Sequence, residues 1–237
     1  MEGRSLWVLR QSLLTMLQTE GSLRDNIARI ATVLDDLTRH RVLALKPDDF
    51  HEYVSLTLPH AAKKSDAPVK RRPGAIARWL QYGFLYAVAA IRADLEHVGQ
   101  SRTQLRLMRL RLLAHFHGMA PSLERVRVGA LKGSRVDVDD PEIRPVVFHY
   151  LRSTFETLGA RGRPVIDELS IAISYLNAAC ALAVMNADAV GKPVDRNVFS
   201  EALIEASDVS HARNLLLDWA LTRLSGGVDA IWFLAGR

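Results

Sequence analysis

Cysteine is nearly missing from this sequence: Cys180 stands alone among 237 residues, so an internal disulfide and a cysteine-based metal cluster are both excluded. It lies between Leu176 and Leu182 in a run of small and apolar residues with no base beside it. That setting predicts a buried, inert thiol in a reducing compartment rather than a nucleophile. A secretory signal is also missing. The apolar stretch from Ser5 to Leu17 is interrupted by Arg10 and Gln11 and runs into Gln18, Thr19 and Glu20 instead of a small-residue cleavage site. A cytoplasmic, soluble protein is expected.

Catalytic signatures are equally scarce. There is no glycine-rich phosphate loop, no nucleophile elbow and no paired-histidine zinc motif. No catalytic residue, metal ligand or cofactor is therefore assigned. The nearest approach to chemistry is Asp48, Asp49 and Glu52, whose spacing places hard oxygen ligands on one helical face as magnesium requires. The matching carboxylates on a facing helix are not recognisable, and acidic residues after Pro47 already suit the start of a helix. Asp35 and Asp36 read as an exposed polar face. Asp137, Asp139 and Asp140 read as a loop with an ordinary aspartate cap, since the glycine and distal glutamate of a calcium loop are missing. His115 and His117 point about 200° apart on a regular helix and cannot share a metal.

What the sequence does hold is helix. Hydrophobic residues at 49% and charged residues at 24% are those of a globular chain. Strand patterns are almost absent, and neither an internal repeat nor a low-complexity tract occurs. Leu23, Ile27, Ile30, Leu34 and Leu37 recur at intervals of four and three, which puts them on one stripe of a helix. Ser22 with Asp25 three residues on resembles a capping box, and Gly21 separates this helix from the first. A third helix is expected from Pro47 to Leu58, loosened by Pro59. A long one follows from Ala75 to Val98, then Ser101 to His117, a short one from Pro121 to Leu131, and a brief extended piece at 135–138. Another begins at Asp140 and Pro141, bends at Pro145, and places Val147, Leu151, Phe155 and Leu158 on one face.

The stretch from Leu169 to Ala187 carries no charge and approaches the length of a membrane span, but its Ser170, Ser174, Asn177 and Asn186 and its many alanines suit a buried helix. No membrane association is expected. Helices at Asp195 to Ser207 and His211 to Leu224 complete the set. The chain thus reads as an all-α bundle of eight or nine helices around a buried apolar central helix at 164–190. A segment 1–63, a basic linker or hinge 64–73 and a main bundle 74–237 are one division; a single domain 1–237 is the other.

Charge is unevenly placed. Residues 1–59 hold 7 basic and 8 acidic side chains, residues 60–135 hold 15 and 4, and residues 136–237 hold 9 and 14. The net charge of +5 therefore conceals a middle third at +11 between two acidic flanks. Lys63, Lys64, Lys70, Arg71 and Arg72 fill the linker, with Arg78 one turn into the next helix. Arg102, Arg106 and Arg109 follow at four and three, on one helical stripe. Guanidinium groups about 5.4 Å apart along a helix can track the phosphates of a nucleic-acid strand through planar donor forks. The competing reading is a solvated face, or one neutralised by the acidic C-terminal part. Arginine outnumbers lysine 25 to 6 across the chain, so its use in the middle reflects a general preference.

Three functions follow. The first is a non-enzymatic accessory protein that binds nucleic acid or another polyanion through Lys63, Lys64, Lys70, Arg71, Arg72, Arg78, Arg102, Arg106 and Arg109. The second is an assembly module whose apolar tail, Ile231, Trp232, Phe233 and Leu234, docks on a protein partner or a second copy. The third is a magnesium-dependent helical enzyme.

Overall fold

The structure is a computed structural model, and it describes residues 4–42, 54, 57–61, 136–160, 162–211, 231, 232 and 234. Among the described residues the chain is helical and no strand occurs. Five α-helices are defined: α1 (Arg4–Gln18), α2 (Leu23–Arg39), α3 (Arg144–Thr157), α4 (Val165–Val190) and α5 (Arg196–His211). A further helical turn covers 57–61. The predicted helices between Ala75 and Leu131 and, beyond its first residue, the one from His211 to Leu224 lie outside the described residues.

The first two helices form the expected hairpin. Ser22 caps α2, its hydroxyl accepting the Asp25 N–H at 3.3 Å. All five residues of the predicted stripe, Leu23, Ile27, Ile30, Leu34 and Leu37, are buried. Asn26 is buried beside them, and its amide donates to the carbonyls of Leu17 (3.3 Å) and Thr19 (2.7 Å), groups that the end of α1 leaves without helical partners. The hairpin angle is thereby fixed by a polar side chain inside an apolar contact. Arg41, just past the C-cap His40, adopts φ 59°, the left-handed conformation that closes many helices and that a residue with a Cβ enters at a cost.

Helix α3 presents Val147, Leu151, Phe155 and Leu158 to the core, the face expected from their spacing. Its start differs from the expectation. Residues 138–143 are turns, and the helix begins at Arg144 with Pro145 in its first turn. A proline there removes only an N–H that has no helical acceptor anyway, so it starts the helix instead of bending it. The extended piece expected at 135–138 is not a strand in its described part. Val136 and Val138 are buried, but the Asp137 carboxylate accepts the Asp139 N–H at 3.1 Å and closes a turn.

Helix α4 occupies the predicted position and is enclosed. Residues 173–180 are all buried, and eight successive positions cover every direction around a helix axis. The window Val165–Val184 is long and apolar enough to cross a membrane by length and composition, and 71% of it is buried within the chain. Asp167 and Glu168 lie in its first turn, where the helix dipole favours negative charge. At its other end Gly191 takes φ 69° and the Lys192 N–H returns to the Ala187 carbonyl at 2.9 Å, a Schellman closure. Helix α5 then starts under a cap from Asp195, which accepts the Val198 N–H at 2.8 Å. It continues without a break past Ser207 to His211, where the sequence suggested a boundary between two helices.

Helix α4 lies along α5, α1 contacts α2 and α3, and α3 reaches both α4 and α5. One hydrophobic core runs through all five helices and includes Val42, Val54, Leu58, Ala61, Ile231, Trp232 and Leu234. Pro59 sits on the exposed side of the 57–61 turn, where its missing N–H does not disturb packing, so helical structure continues across it.

Candidate functional site

Polar chemistry in the described residues concentrates where the hairpin meets the 136–143 loop. The Ser22 hydroxyl that caps α2 donates in turn to Asp139 Oδ2 at 2.6 Å, and the Leu23 N–H donates to Asp139 Oδ1. One carboxylate therefore satisfies the start of a helix 116 residues earlier in the sequence. An aspartate cap was expected in this loop, but for the helix that follows it. That helix has Ile143 at its N-cap and no side-chain cap. Beside this contact Arg24 pairs with Asp137 at 2.9 Å, and Arg144 donates to the Gly21 carbonyl at 2.9 Å.

Two clefts border this region and its neighbour. The first, of about 560 Å³, opens between the loop and the end of α4 and is lined by Val136, Asp137, Asp140, Ile143, Lys192 and Val194, among others. Its carboxylates hold the protein's own backbone: Asp140 accepts the Glu142 N–H at 2.8 Å, and Asp137 accepts that of Asp139. The second, of about 530 Å³, lies among α3, α4 and α5 and is rich in hydroxyls. Four of these donate to the backbone, Thr154 to Tyr150, Thr157 to Ser153, Ser207 to Leu203 and Tyr150 to Ala172. Glu168 accepts the Gly159 N–H at 2.6 Å. Among the described residues no group of three or more metal-ligating side chains converges.

The nine basic residues of the predicted interface, Lys63, Lys64, Lys70, Arg71, Arg72, Arg78, Arg102, Arg106 and Arg109, lie outside the described residues, as do Asp48, Asp49 and Glu52 of the magnesium reading. Of the tail, Ile231, Trp232 and Leu234 are buried against the chain's own core, and Phe233 lies outside the described residues. The Trp232 indole nitrogen has no hydrogen-bond partner among the described residues. Cys180 is buried, as its apolar neighbours suggested. Asp35 and Asp36 are half-buried rather than exposed, and Asp35 pairs with Arg39 one turn on at 2.7 Å.

Six carboxylates of the acidic C-terminal part have partners among the described residues. Asp137, Asp139, Asp140 and Asp195 hold the partners already named, Glu142 accepts the Arg196 N–H at 3.4 Å, and Glu156 pairs with Arg152 at 2.8 Å. The long-range roles of Asp139 and Arg144 carry no signal in the sequence, because a contact supplied from a distant segment has no fixed spacing. Comparison with protein-family models, curated proteins and solved structures gives no match.

Proposed function

We propose that this chain is a non-enzymatic, cytoplasmic accessory protein that binds nucleic acid or another polyanion through its basic middle third. The observation that carries this reading is the segregation of charge: 15 basic and 4 acidic side chains in residues 60–135, against a net negative remainder. Lys63, Lys64, Lys70, Arg71, Arg72 and Arg78 form one group in the sequence and Arg102, Arg106 and Arg109 a second. On this reading the two groups contribute to one electropositive surface of an eight- or nine-helix bundle, with the apolar helix at 164–190 as its centre.

The chief alternative is internal neutralisation by the acidic C-terminal part. Arginine-rich contacts of this kind read charge and backbone rather than base identity, so weak sequence selectivity is expected. Mobility-shift titrations with duplex and single-stranded probes at two salt concentrations test the reading. Retarded complexes at low salt that dissolve on a fourfold rise in salt support it; no complex at low salt refutes it.

A further inference from the structure

We propose that Asp139 is a conformational latch: its carboxylate closes the α1–α2 hairpin and the 136–143 loop onto each other, and the two open as one unit. This inference stands apart from the polyanion reading and uses only the contacts between these two segments.

Both oxygens of the carboxylate are spent on the hairpin, Oδ1 on the Leu23 N–H and Oδ2 on the Ser22 hydroxyl. The same hydroxyl accepts the Asp25 N–H, so a relay runs from inside the first turn of α2 to a residue 117 positions further along. A carboxylate at a helix N-terminus meets both the unpaired N–H groups and the positive end of the dipole. Asp139 gives that advantage to α2 and none to α3, the helix it precedes, which begins at Ile143 without a side-chain cap. Its position serves the junction.

The loop side is organised to move as a piece. Asp137 accepts the Asp139 N–H through its carboxylate and the Asp140 N–H through its carbonyl, and the Asp140 carbonyl accepts from Ile143 and Arg144. Val136, Val138 and Ile143 are buried beneath these turns. Two further contacts bridge the same segments, Arg24 to Asp137 and Arg144 to the Gly21 carbonyl, but both are exposed, and exposed pairs contribute little. The less exposed Asp139 contact is therefore the one that decides whether the junction is shut. Once it fails, the buried valines lose their cover and the loop's own turns lose their support. Local openings of this kind are cooperative over contiguous segments.

Hydrogen exchange on the full chain, resolved to single amides, tests the latch. Asp139→Ala is expected to speed exchange of the Leu23 and Asp25 amides about tenfold, the scale of losing a charged cap, and to speed Asp140 and Ile143 with them. Ser22→Ala, the milder change from the opposite side, should raise the same four amides together, while those of residues 173–180 in α4 stay slow. Asp139→Asn, which keeps an acceptor oxygen, should fall between wild type and Asp139→Ala. Effects confined to the substituted side, or an increase shared equally by α4, would overturn the proposal. Should Asp139→Ala fail to fold, Ser22→Ala carries the same two outcomes.

Discussion

Arg10 and Leu158 join the first helix to the end of the third: the guanidinium donates through both Nε, at 2.8 Å, and Nη2 to the Leu158 carbonyl, 148 residues away. The carbonyl lies at the C-cap of α3, where helical acceptors go unfilled and where a cation also complements the helix dipole. The next N–H, that of Gly159, is taken by Glu168 of α4. Arg10 thus finishes α3, and Glu168 holds the chain just beyond it.

Truncation at this point has a predictable cost. Arg10→Ala leaves a part-buried carbonyl without its donor and removes a charge-assisted bond, a loss of about 1.5–3 kcal/mol. Arg10→Lys, with one donor head in place of the fork, should lose less. Urea unfolding with an unchanged slope would measure both.

The two described tryptophans should behave oppositely. Trp232 is 4% exposed and packed in the core, whereas Trp7 on α1 is 58% exposed. Trp232→Ala should destabilise by about 3–5 kcal/mol, and Trp7→Ala should stay within about 0.5 kcal/mol of wild type. A small effect at Trp232 would instead mark the tail as a surface element available to a partner.

Backbone conformation gives a pair of opposite signs. Gly191→Ala places a side chain at φ 69°; the space around it is open, so the cost is torsional and about 1–2 kcal/mol. Arg41 already stands at φ 59°, and Arg41→Gly should raise stability by about 0.5–1 kcal/mol, the relief of strain less the entropy of the added glycine. Thermal unfolding of the two variants checks the signs.

How much of this was legible in the sequence depends on the range of the interaction. The α2 stripe, the Ser22 cap, the buried face of α3 and the enclosed α4 follow from periodicity and local chemistry, and the structure places each where its residues implied. Boundaries moved where tertiary partners intervene. Asp139 was drawn to α2, so α3 begins at Pro145's turn and not at Pro141, and α5 runs through Ser207, whose hydroxyl bonds back to Leu203 instead of breaking the helix. Long-range caps such as Arg10 on Leu158 obey geometry that no spacing rule encodes. The basic stripe was visible as charge, but charge along a sequence does not specify a surface.

That surface is tested most directly by the salt dependence of binding. Fluorescence anisotropy of a labelled single-stranded oligonucleotide, titrated with the full chain at several salt concentrations, should give affinity falling steeply with salt. With five or six phosphate contacts, a fourfold increase weakens binding by about three orders of magnitude. Replacing Arg102, Arg106 and Arg109 with alanine should flatten that slope by about the share of three contacts while leaving thermal stability within about 1 kcal/mol. Binding that ignores salt, or a triple variant whose slope equals that of wild type, would contradict the account.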